Sequence, residues 1–303
     1  MGCKPIGSAF AGSNPAPTIG QPRASDVIAL VLGLGASLCW GFADFLGGFQ
    51  AKRIAALVVV FFGQLGSLAV LAVVLAVSGR GVPGDVLIPA ALAGLSASIG
   101  LAAFYRALAV GTMGVVAPVV ATSAIIPVIV GIGSGERLGV VQAAGLALAV
   151  VGVTLSVRSR TEGGGRSEGL GVAVVAAVAL GASIVFIERA AEHDVAATLL
   201  VARCAGLTTL AVALAATSTA LRAPRAQLPA LFGIGLLDMA ATGLFALATT
   251  HGLLSVAAVA GSLYPAVTVV LARIALHERL SPVQVLGIAT VLVGVCLLAS
   301  ASA

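Results

Sequence analysis

Ten long apolar stretches, separated by short polar segments, set the strongest limit on how this chain can fold. Each stretch has 18 or more residues and is rich in Ala, Leu, Val and Gly. A helix rises about 1.5 Å per residue, so about 20 such residues cross a hydrocarbon core about 30 Å thick. The sequence predicts ten transmembrane helices, over 26–48, 54–78, 85–109, 113–133, 140–157, 168–188, 195–218, 228–250, 254–276 and 281–299.

The composition excludes a water-soluble enzyme. Apolar residues make up 60% of the 303 residues, charged residues only 9%, and the mean hydropathy is +1.17. Barrel strands would alternate in polarity over about 10 residues, whereas these stretches are continuously apolar. The predicted fold is an all-α integral membrane protein. The net charge of +5 comes from scattered Lys and Arg, which suits lipid headgroups and excludes a nucleic-acid partner.

Polar segments divide the chain into two halves of five helices. Residues 1–25 are rich in Gly, Pro and Ser and are predicted to form a disordered tail. The longest polar connection, 158–167, reads RSRTEGGGRS and lies between the fifth and sixth apolar stretches. We therefore expect a first five-helix unit over 26–157 and a second over 168–300.

The two halves carry an internal repeat. The tetrapeptide LGAS at 34–37 recurs 146 residues later, at 180–183. The pattern ERL-x3-Q-x2-G-x6-GV, which starts at Glu136, recurs 142 residues later, at Glu278. Because each half has an odd number of helices, the second must enter the membrane in the opposite sense. The sequence thus predicts two inverted five-helix repeats, an architecture that is typical of transporters with a site between the halves.

Several of these features resemble a known family. Trp40-Gly41 in the first helix, Pro127 and Pro265 in the fourth and ninth, and the two Glu-Arg-Leu blocks are similar to those of EamA-type permeases of the drug/metabolite transporter superfamily. The resemblance covers residue 26 to the C-terminus. It implies a cavity lined mainly by helices 1, 3, 4, 6, 8 and 9 that moves small organic metabolites, often outward.

Few ionisable residues lie inside the predicted helices. Arg203 and Asp238 fall near the middle of helices 7 and 8, and Asp44 falls nearer the end of helix 1. An ionisable group at the bilayer centre costs at least about 2.5–3.5 kcal/mol, so each is a functional candidate. Arg203 and Asp238 either form a purely structural pair or border the substrate path. Asp44 is either a helix-end residue at the headgroups or part of that path.

Helical spacing places further cavity candidates on shared faces. Ser37, Trp40, Gly41 and Asp44 follow one face of helix 1, and the repeat matches the first two with Ser183 and Phe186. Trp40 either packs against a neighbouring helix or forms a cavity wall that stacks on substrate. The candidates on helices 8 and 9 are Asp238, Thr242, Phe245, Ser262 and Tyr264.

Two prolines are candidate hinges. Pro265 and Pro127 fall within the ninth and fourth predicted helices, where proline removes a backbone hydrogen bond and weakens the helix locally. We expect Pro265 to flex while Tyr264 closes one end of the cavity. The alternative for Pro265 is a static kink that only lets helices 4 and 9 pack.

Motifs for other chemistry are missing from the sequence. It contains neither H-E-x-x-H nor a phosphate-binding G-x-x-x-x-G-K-[ST], and its four cysteines show no paired spacing. We expect no metal, no cofactor, no ATP site and no enzymatic activity. The expected partners are a small-molecule solute and the lipid bilayer, with protons as a candidate coupling ion.

The sequence therefore predicts a secondary transporter, an exporter of a small organic metabolite such as an amino acid. The alternatives are a multidrug or cationic-drug efflux permease and, from another class, a non-transporting receptor or scaffold. The resemblance implies a multi-pass protein of the plasma membrane whose termini are cytoplasmic. The loop charges disagree with this orientation, because it puts five Lys and Arg residues inside and eight outside, whereas cytoplasmic loops usually carry the excess.

Overall fold

Helices form nearly all of the chain that the computed structural model describes, which is residues 24–78, 81–126, 129–130, 140–158, 168–191, 193–251, 260–261, 263–277 and 280–301. These residues contain no strand. Their α-helices are α1 (Ala24–Ala51), α2 (Ala56–Ser78), α3 (Gly84–Val110), α4 (Met113–Ala121), α5 (Val140–Arg158), α6 (Glu168–Ala191), α7 (Val195–Ala216), α8 (Leu228–His251), α9 (Tyr264–Ala275) and α10 (Pro282–Ala301).

Six of these helices are long and apolar enough to cross a membrane: α1, α2, α3, α6, α7 and α8. Shorter apolar segments occur in α5, α9 and α10. Large aliphatic side chains such as Val73, Ile88 and Val212 are exposed on the outside of the bundle, where lipid can cover them. The all-helical fold is therefore confirmed, while the number of ten crossings stays a prediction.

Two of the predicted helices are not regular α-helix throughout their described residues. The stretch 113–133 starts as α4, but the α-helix ends at Ala121 and a 3-10 segment, Thr122–Ala124, follows. Here the Thr122 hydroxyl donates to the Val119 carbonyl at 2.6 Å, a local bond that competes with regular α-helix. In the stretch 254–276, α9 begins only at Tyr264. Pro265 lies in its first turn, where its missing N–H is tolerated.

Local capping explains one residue of the repeat. The Gln284 side chain accepts from the Ser281 backbone N–H at 2.9 Å, while the Ser281 hydroxyl accepts from the Gln284 backbone N–H at 3.2 Å. This reciprocal pair is a capping box at the start of α10. The glutamine in the second repeat copy therefore fixes where a helix begins.

Contacts between the two halves follow a two-fold pattern. The pair α3 and α6 is matched by α8 and α1, the pair α3 and α7 by α8 and α2, and the pair α4 and α6 by α9 and α1. This pattern is the exchange of α1–α5 with α6–α10. The same exchange leaves three contacts unchanged, those of α2 with α7, α4 with α9, and α5 with α10. The repeat in the sequence is thus accompanied by a repeat in the packing.

Helices α5 and α10 cross closely at the repeated glycines. A Cβ added to Gly152 would lie 2.7 Å from the Gly287 carbonyl oxygen, and one added to Gly294 would lie 2.7 Å from the Gly145 carbonyl oxygen. Small residues of this kind let helix backbones approach in membrane proteins. Since the earlier glycine of each helix meets the later glycine of the other, the two equivalent helices run antiparallel.

Candidate functional site

An ion pair joins two neighbouring helices of the second half. The Arg203 guanidinium on α7 donates to the Asp238 carboxylate on α8 at 2.5 Å, from Nη2 to Oδ2. The two side chains are 16% and 24% exposed, so neither is sealed in the protein interior. Two opposite charges on adjacent helices relieve the cost that either charge alone would have at this depth.

The pair opens onto a narrow cleft between the two halves. The cleft encloses a cavity of only about 10 Å³, and α2, α3, α7 and α8 all contribute to its wall. Besides Arg203 and Asp238, its polar lining comes from Gln64, Ser67 and Tyr105. This space holds about one water molecule, so the cleft is nearly closed in this conformation.

A second polar pair occupies the matching place in the first half. The Gln64 amide on α2 donates to the Ser98 hydroxyl on α3 at 2.9 Å, and both residues are buried. Gln64 precedes Arg203 by 139 residues and Ser98 precedes Asp238 by 140. The same pair of helices in each half therefore carries a polar contact, which is ionic only in the second half.

Backbone contacts hold the cleft together. The Ser67 hydroxyl on α2 donates to the Gly235 carbonyl on α8 at 2.8 Å. A Cβ added to Gly235 would overlap the backbone of Gly63, and one added to Gly94 would overlap the backbone of Ala202. These two contacts, α8 on α2 and α3 on α7, are equivalent in the two halves. Each member of the charged pair thus lies on a helix whose backbone touches a helix of the first half.

The predicted face of helix 1 packs mainly against the ninth helical stretch. The Ser37 hydroxyl donates to the carbonyls of Ala260 and Gly261, the latter at 2.8 Å. Gly41 packs against Val267 on α9, and a Cβ added to Gly41 would lie 2.6 Å from the valine Cγ1. Ser37 and Gly41 therefore form a tight helix contact in this conformation.

Aromatic rings surround Trp40 beside that contact. The Trp40 ring centroid lies 5.7 Å from the ring of Phe245 on α8 and 6.2 Å from the ring of Tyr264 on α9. Tilted and edge-on arrangements at these distances are favourable. Three of the predicted cavity residues thus form one aromatic cluster, which joins α1, α8 and α9.

Asp44 is buried one turn further along α1, with 7% of its surface exposed. Tyr105 of the cleft wall packs against α1 just beyond Asp44, since a Cβ added to Gly47 would overlap the Tyr105 ring. The Tyr105 hydroxyl itself donates to the Ala43 carbonyl at 3.4 Å. Asp44 therefore faces the interior of the bundle close to the cleft.

Other predicted site residues are not brought to the cleft. The hydroxyls of Ser183 and Thr242 donate to carbonyls of their own helices, those of Leu180 at 2.7 Å and Asp238 at 2.9 Å. Phe186 on α6 is partly exposed and is not part of the cleft wall in the described residues. Ser262 and Pro127 lie outside the described residues, as do Glu136–Leu138, Glu278–Arg279 and most of the tail and of the polar connection.

The family is decided by two matched stretches of sequence. The EamA-like transporter family matches residues 27–158 and again residues 167–300. The chain belongs to the EamA-like transporter family. It is therefore a transporter of the drug/metabolite transporter superfamily and a multi-pass integral membrane protein, whose partners are a small-molecule solute and the lipid bilayer.

Comparison with solved structures supports the fold of this EamA-like transporter. A structure titled only "Crystal structure of protein" superposes with a TM-score of 0.60 at 16% identity, over 89% of this chain and 96% of the other. At this identity the likeness concerns the fold alone. No curated protein matches the chain.

The cleft of this EamA-like transporter differs from the cavity that the resemblance implied. Helices α2 and α7 contribute to its wall, whereas we expected mainly helices 1, 3, 4, 6, 8 and 9. Gln64 and Tyr105 were not predicted, because neither carries a charge and neither lies on the helix faces that carry the other candidates. Gln64 is the only carboxamide in the apolar helix α2, a signal that could have indicated it.

We predict that Pro265→Ala lowers turnover while solute binding is kept. Helical residues 260–261 precede the turn at Leu263, and Pro265 is the second residue of the next helical segment, which starts at Tyr264. Alanine would let one helix run through this break and stiffen the segment that contacts α1. Transport rate and solute affinity should be measured separately on the same preparation.

The same measurement distinguishes a hinge from a static kink. The expected change in stability is below about 1 kcal/mol, since proline at a helix start removes no needed hydrogen bond. Unchanged turnover at equal expression would show that Pro265 is only a packing feature.

Proposed function

We propose that this EamA-like transporter is a secondary carrier that moves a small zwitterionic metabolite, such as an amino acid, by alternating access. The observation that carries the proposal is the Arg203–Asp238 pair on the wall of a narrow cleft between the two halves. The cleft is nearly closed in this conformation, and its opening would offer a small solute one cation and one anion at once.

Charge complementarity favours a zwitterion over a singly charged solute. The guanidinium of Arg203 suits a carboxylate, which it can bind with two parallel hydrogen bonds, and Asp238 suits an ammonium group. When both groups of the solute replace the direct ion pair, neither protein charge is left unpaired. A cationic or anionic solute would leave one of them without a partner, at a cost of several kcal/mol.

Alternating access is supported by a difference between equivalent contacts in the two halves. Ser37 of the first LGAS block donates to carbonyls of the ninth helical stretch, whereas Ser183 of the second donates within its own helix. In inverted repeats the two halves can exchange conformations and so open the site to opposite sides. We expect Ser183 to make the interhelical contact in the opposite state.

The membrane arrangement belongs to the same proposal. Ten crossings, with five in each of two inverted repeats, accord with the antiparallel contact of α5 and α10 and with the two-fold pattern of helix pairs. The proposal also includes export across the plasma membrane, cytoplasmic termini and an ion gradient as the energy source.

We predict that a reporter fused after Ala303 is active only in the cytoplasm. An even number of crossings places both ends on the same side, and the family resemblance places that side inside. Fusions after Ser78 and after Ala216, in equivalent loops of the two halves, should then lie on opposite sides. The same side for both would contradict the inverted repeat, whereas reversal of all three signals would change only the orientation.

The decisive experiment for the function is uptake into proteoliposomes that contain the purified chain. Radiolabelled solutes should be screened by charge class, with neutral amino acids, organic cations and organic anions as separate groups. We expect uptake of zwitterions, and exchange against the same unlabelled solute inside the vesicles. Uptake confined to organic cations would favour the drug-efflux alternative, and no uptake in any class would contradict the proposed function.

A further inference from the structure

Gln64 carries an open hydrogen-bond acceptor at the wall of the cleft. Its side-chain nitrogen Nε2 donates to the Ser98 hydroxyl at 2.9 Å, and the residue is only 4% exposed. Among the residues that the structure describes, its side-chain oxygen Oε1 accepts no hydrogen bond. This oxygen is not sealed off, since in the same part of the chain only Gln227 has a fully enclosed side-chain oxygen without a partner.

An acceptor without a donor is unfavourable at this depth. Gln64 lies inside α2, a 23-residue apolar helix, and the nearly closed cleft beside it holds about one water molecule. An amide oxygen that leaves bulk water needs a donor to compensate for its lost hydration. A solute that brings an N–H or O–H group to Oε1 would therefore bind more tightly than one that does not.

Close packing holds this oxygen next to both members of the ion pair. A Cβ added to Gly206 would lie 2.6 Å from Gln64 Oε1, and Gly206 follows Arg203 by about one turn of α7. The residue before Gln64 touches the backbone of Gly235, which precedes Asp238 by about one turn of α8. All three polar side chains belong to the wall of the same small cavity.

The internal repeat makes Gln64 the counterpart of Arg203. The two residues are 139 positions apart, and their helices α2 and α7 contact each other across the boundary of the two halves. A guanidinium group offers only donors, whereas Oε1 of Gln64 offers an open acceptor. A carboxylate needs donors and an ammonium group needs acceptors, so the two equivalent positions suit opposite ends of a zwitterion.

We propose that Gln64 is a specificity-determining residue that binds the ammonium group of the solute together with Asp238. The inference rests on the proposed transport of a zwitterion. Asp238 accepts one N–H of the ammonium group, Gln64 Oε1 accepts a second, and Arg203 holds the carboxylate. The site then requires two N–H donors on the solute nitrogen. It selects primary and secondary ammonium groups over tertiary and quaternary ones.

Methylated glycines test this requirement without any change of side chain. The nitrogen carries three N–H donors in glycine, two in N-methylglycine, one in N,N-dimethylglycine and none in N,N,N-trimethylglycine. If only size mattered, each methyl group would weaken binding by a similar step. Two acceptors instead predict one large step between N-methylglycine and N,N-dimethylglycine, because a single N–H cannot serve both Asp238 and Gln64.

The measurement is competition against uptake in proteoliposomes. A radiolabelled mixture of neutral amino acids is taken up by the full chain, and each unlabelled glycine derivative is added over a range of concentrations. In wild type we expect the half-inhibiting concentration to rise about tenfold or more between N-methylglycine and N,N-dimethylglycine, as is typical for loss of a hydrogen bond to a charged group.

The variant Gln64→Met should remove this step. Methionine has a similar length and flexibility but only a weak acceptor. Glycine should inhibit less strongly than in wild type, whereas inhibition by N,N-dimethylglycine should not weaken, because it no longer leaves the amide oxygen unpaired. Purely structural damage would weaken both alike. We expect the variant to fold, since the Ser98 hydroxyl can bond to a carbonyl of its own helix instead.

Ser67 provides a matched control on the same helix. It lines the cleft about one turn after Gln64, but its hydroxyl already donates to the Gly235 carbonyl at 2.8 Å. Ser67→Ala should loosen the contact between α2 and α8 and lower uptake of the whole series. The step between N-methylglycine and N,N-dimethylglycine should stay as large as in wild type.

Two results would overturn the assignment of Gln64 while zwitterion transport stands. One is a step of equal size in wild type and Gln64→Met, and the other is a gradual decline with each methyl group in wild type. The second needs no variant, so it decides even if Gln64→Met does not fold. If wild type takes up no amino acid at all, the proposed function is wrong and this inference with it.

Discussion

Transport should fall about 10- to 100-fold when either member of the Arg203–Asp238 pair is neutralised. Asp238→Asn and Arg203→Gln each remove one charge-assisted contact to the solute, a contact of about 1.5–3 kcal/mol. Each also leaves the remaining charge without its partner. Breaking a fully buried pair costs about 3–5 kcal/mol, and the partial exposure of this one reduces the expected loss of stability to about 1–3 kcal/mol.

The double variant Arg203→Gln/Asp238→Asn separates binding from folding. It leaves no unpaired charge, so its thermal midpoint in detergent should return towards that of the wild type. Its transport should stay as low as in the single variants, since the charges that bind the solute are missing. Recovery of both stability and transport would show that the pair only holds α7 and α8 together.

Replacement of Gly235 by alanine should produce the largest loss of stability among small substitutions in α8. The new methyl group would overlap the backbone of Gly63, so α2 and α8 must move apart at the cleft wall. Overpacking of this kind costs about 1–3 kcal/mol, and here the obstacle is backbone, which cannot turn aside as a side chain can. Transport should fall with it, because both glycines border the cleft.

A control lies two residues away on the same helix. A Cβ added to Gly233 meets nothing within 4 Å, so Gly233→Ala should be neutral or gain up to about 1 kcal/mol of helix stability. Thermal unfolding of the two variants in the same detergent provides the comparison. Equal midpoints for Gly235→Ala and Gly233→Ala would contradict the close approach of α2 and α8.

Patterns in the sequence were sufficient for the broad fold because they depend on chain-local physics. In lipid the backbone of a continuous apolar run must satisfy its hydrogen bonds within the run itself, and only a helix allows this. The repeated LGAS and Glu-Arg-Leu blocks indicated two related halves, and the family match covers both. The rarity of charges inside apolar runs was enough to select Arg203 and Asp238.

The candidate site was only partly predictable, because sequence spacing shows which residues share a face but not what that face meets. Ser37 and Gly41 do share a face of α1, yet that face closes on α9 in this structure. Trp40, Phe245 and Tyr264 come from three helices and meet only through the packing of those helices. Ser183 and Thr242 bond within their own helices, which the sequence could not distinguish from an open cavity face.

The sequence by itself determined that this protein is a helical membrane transporter built from two related halves, and that its second half carries two opposite charges inside its predicted helices. Only the tertiary structure decided that these charges pair, that Gln64 and Tyr105 join them at the cleft, and that helical stretches 4 and 9 are not regular α-helix throughout. The reason is physical. In lipid all faces of these helices are apolar, so hydrophobic periodicity no longer marks the buried side, and close backbone contacts at small residues such as Gly63 and Gly235 select it instead.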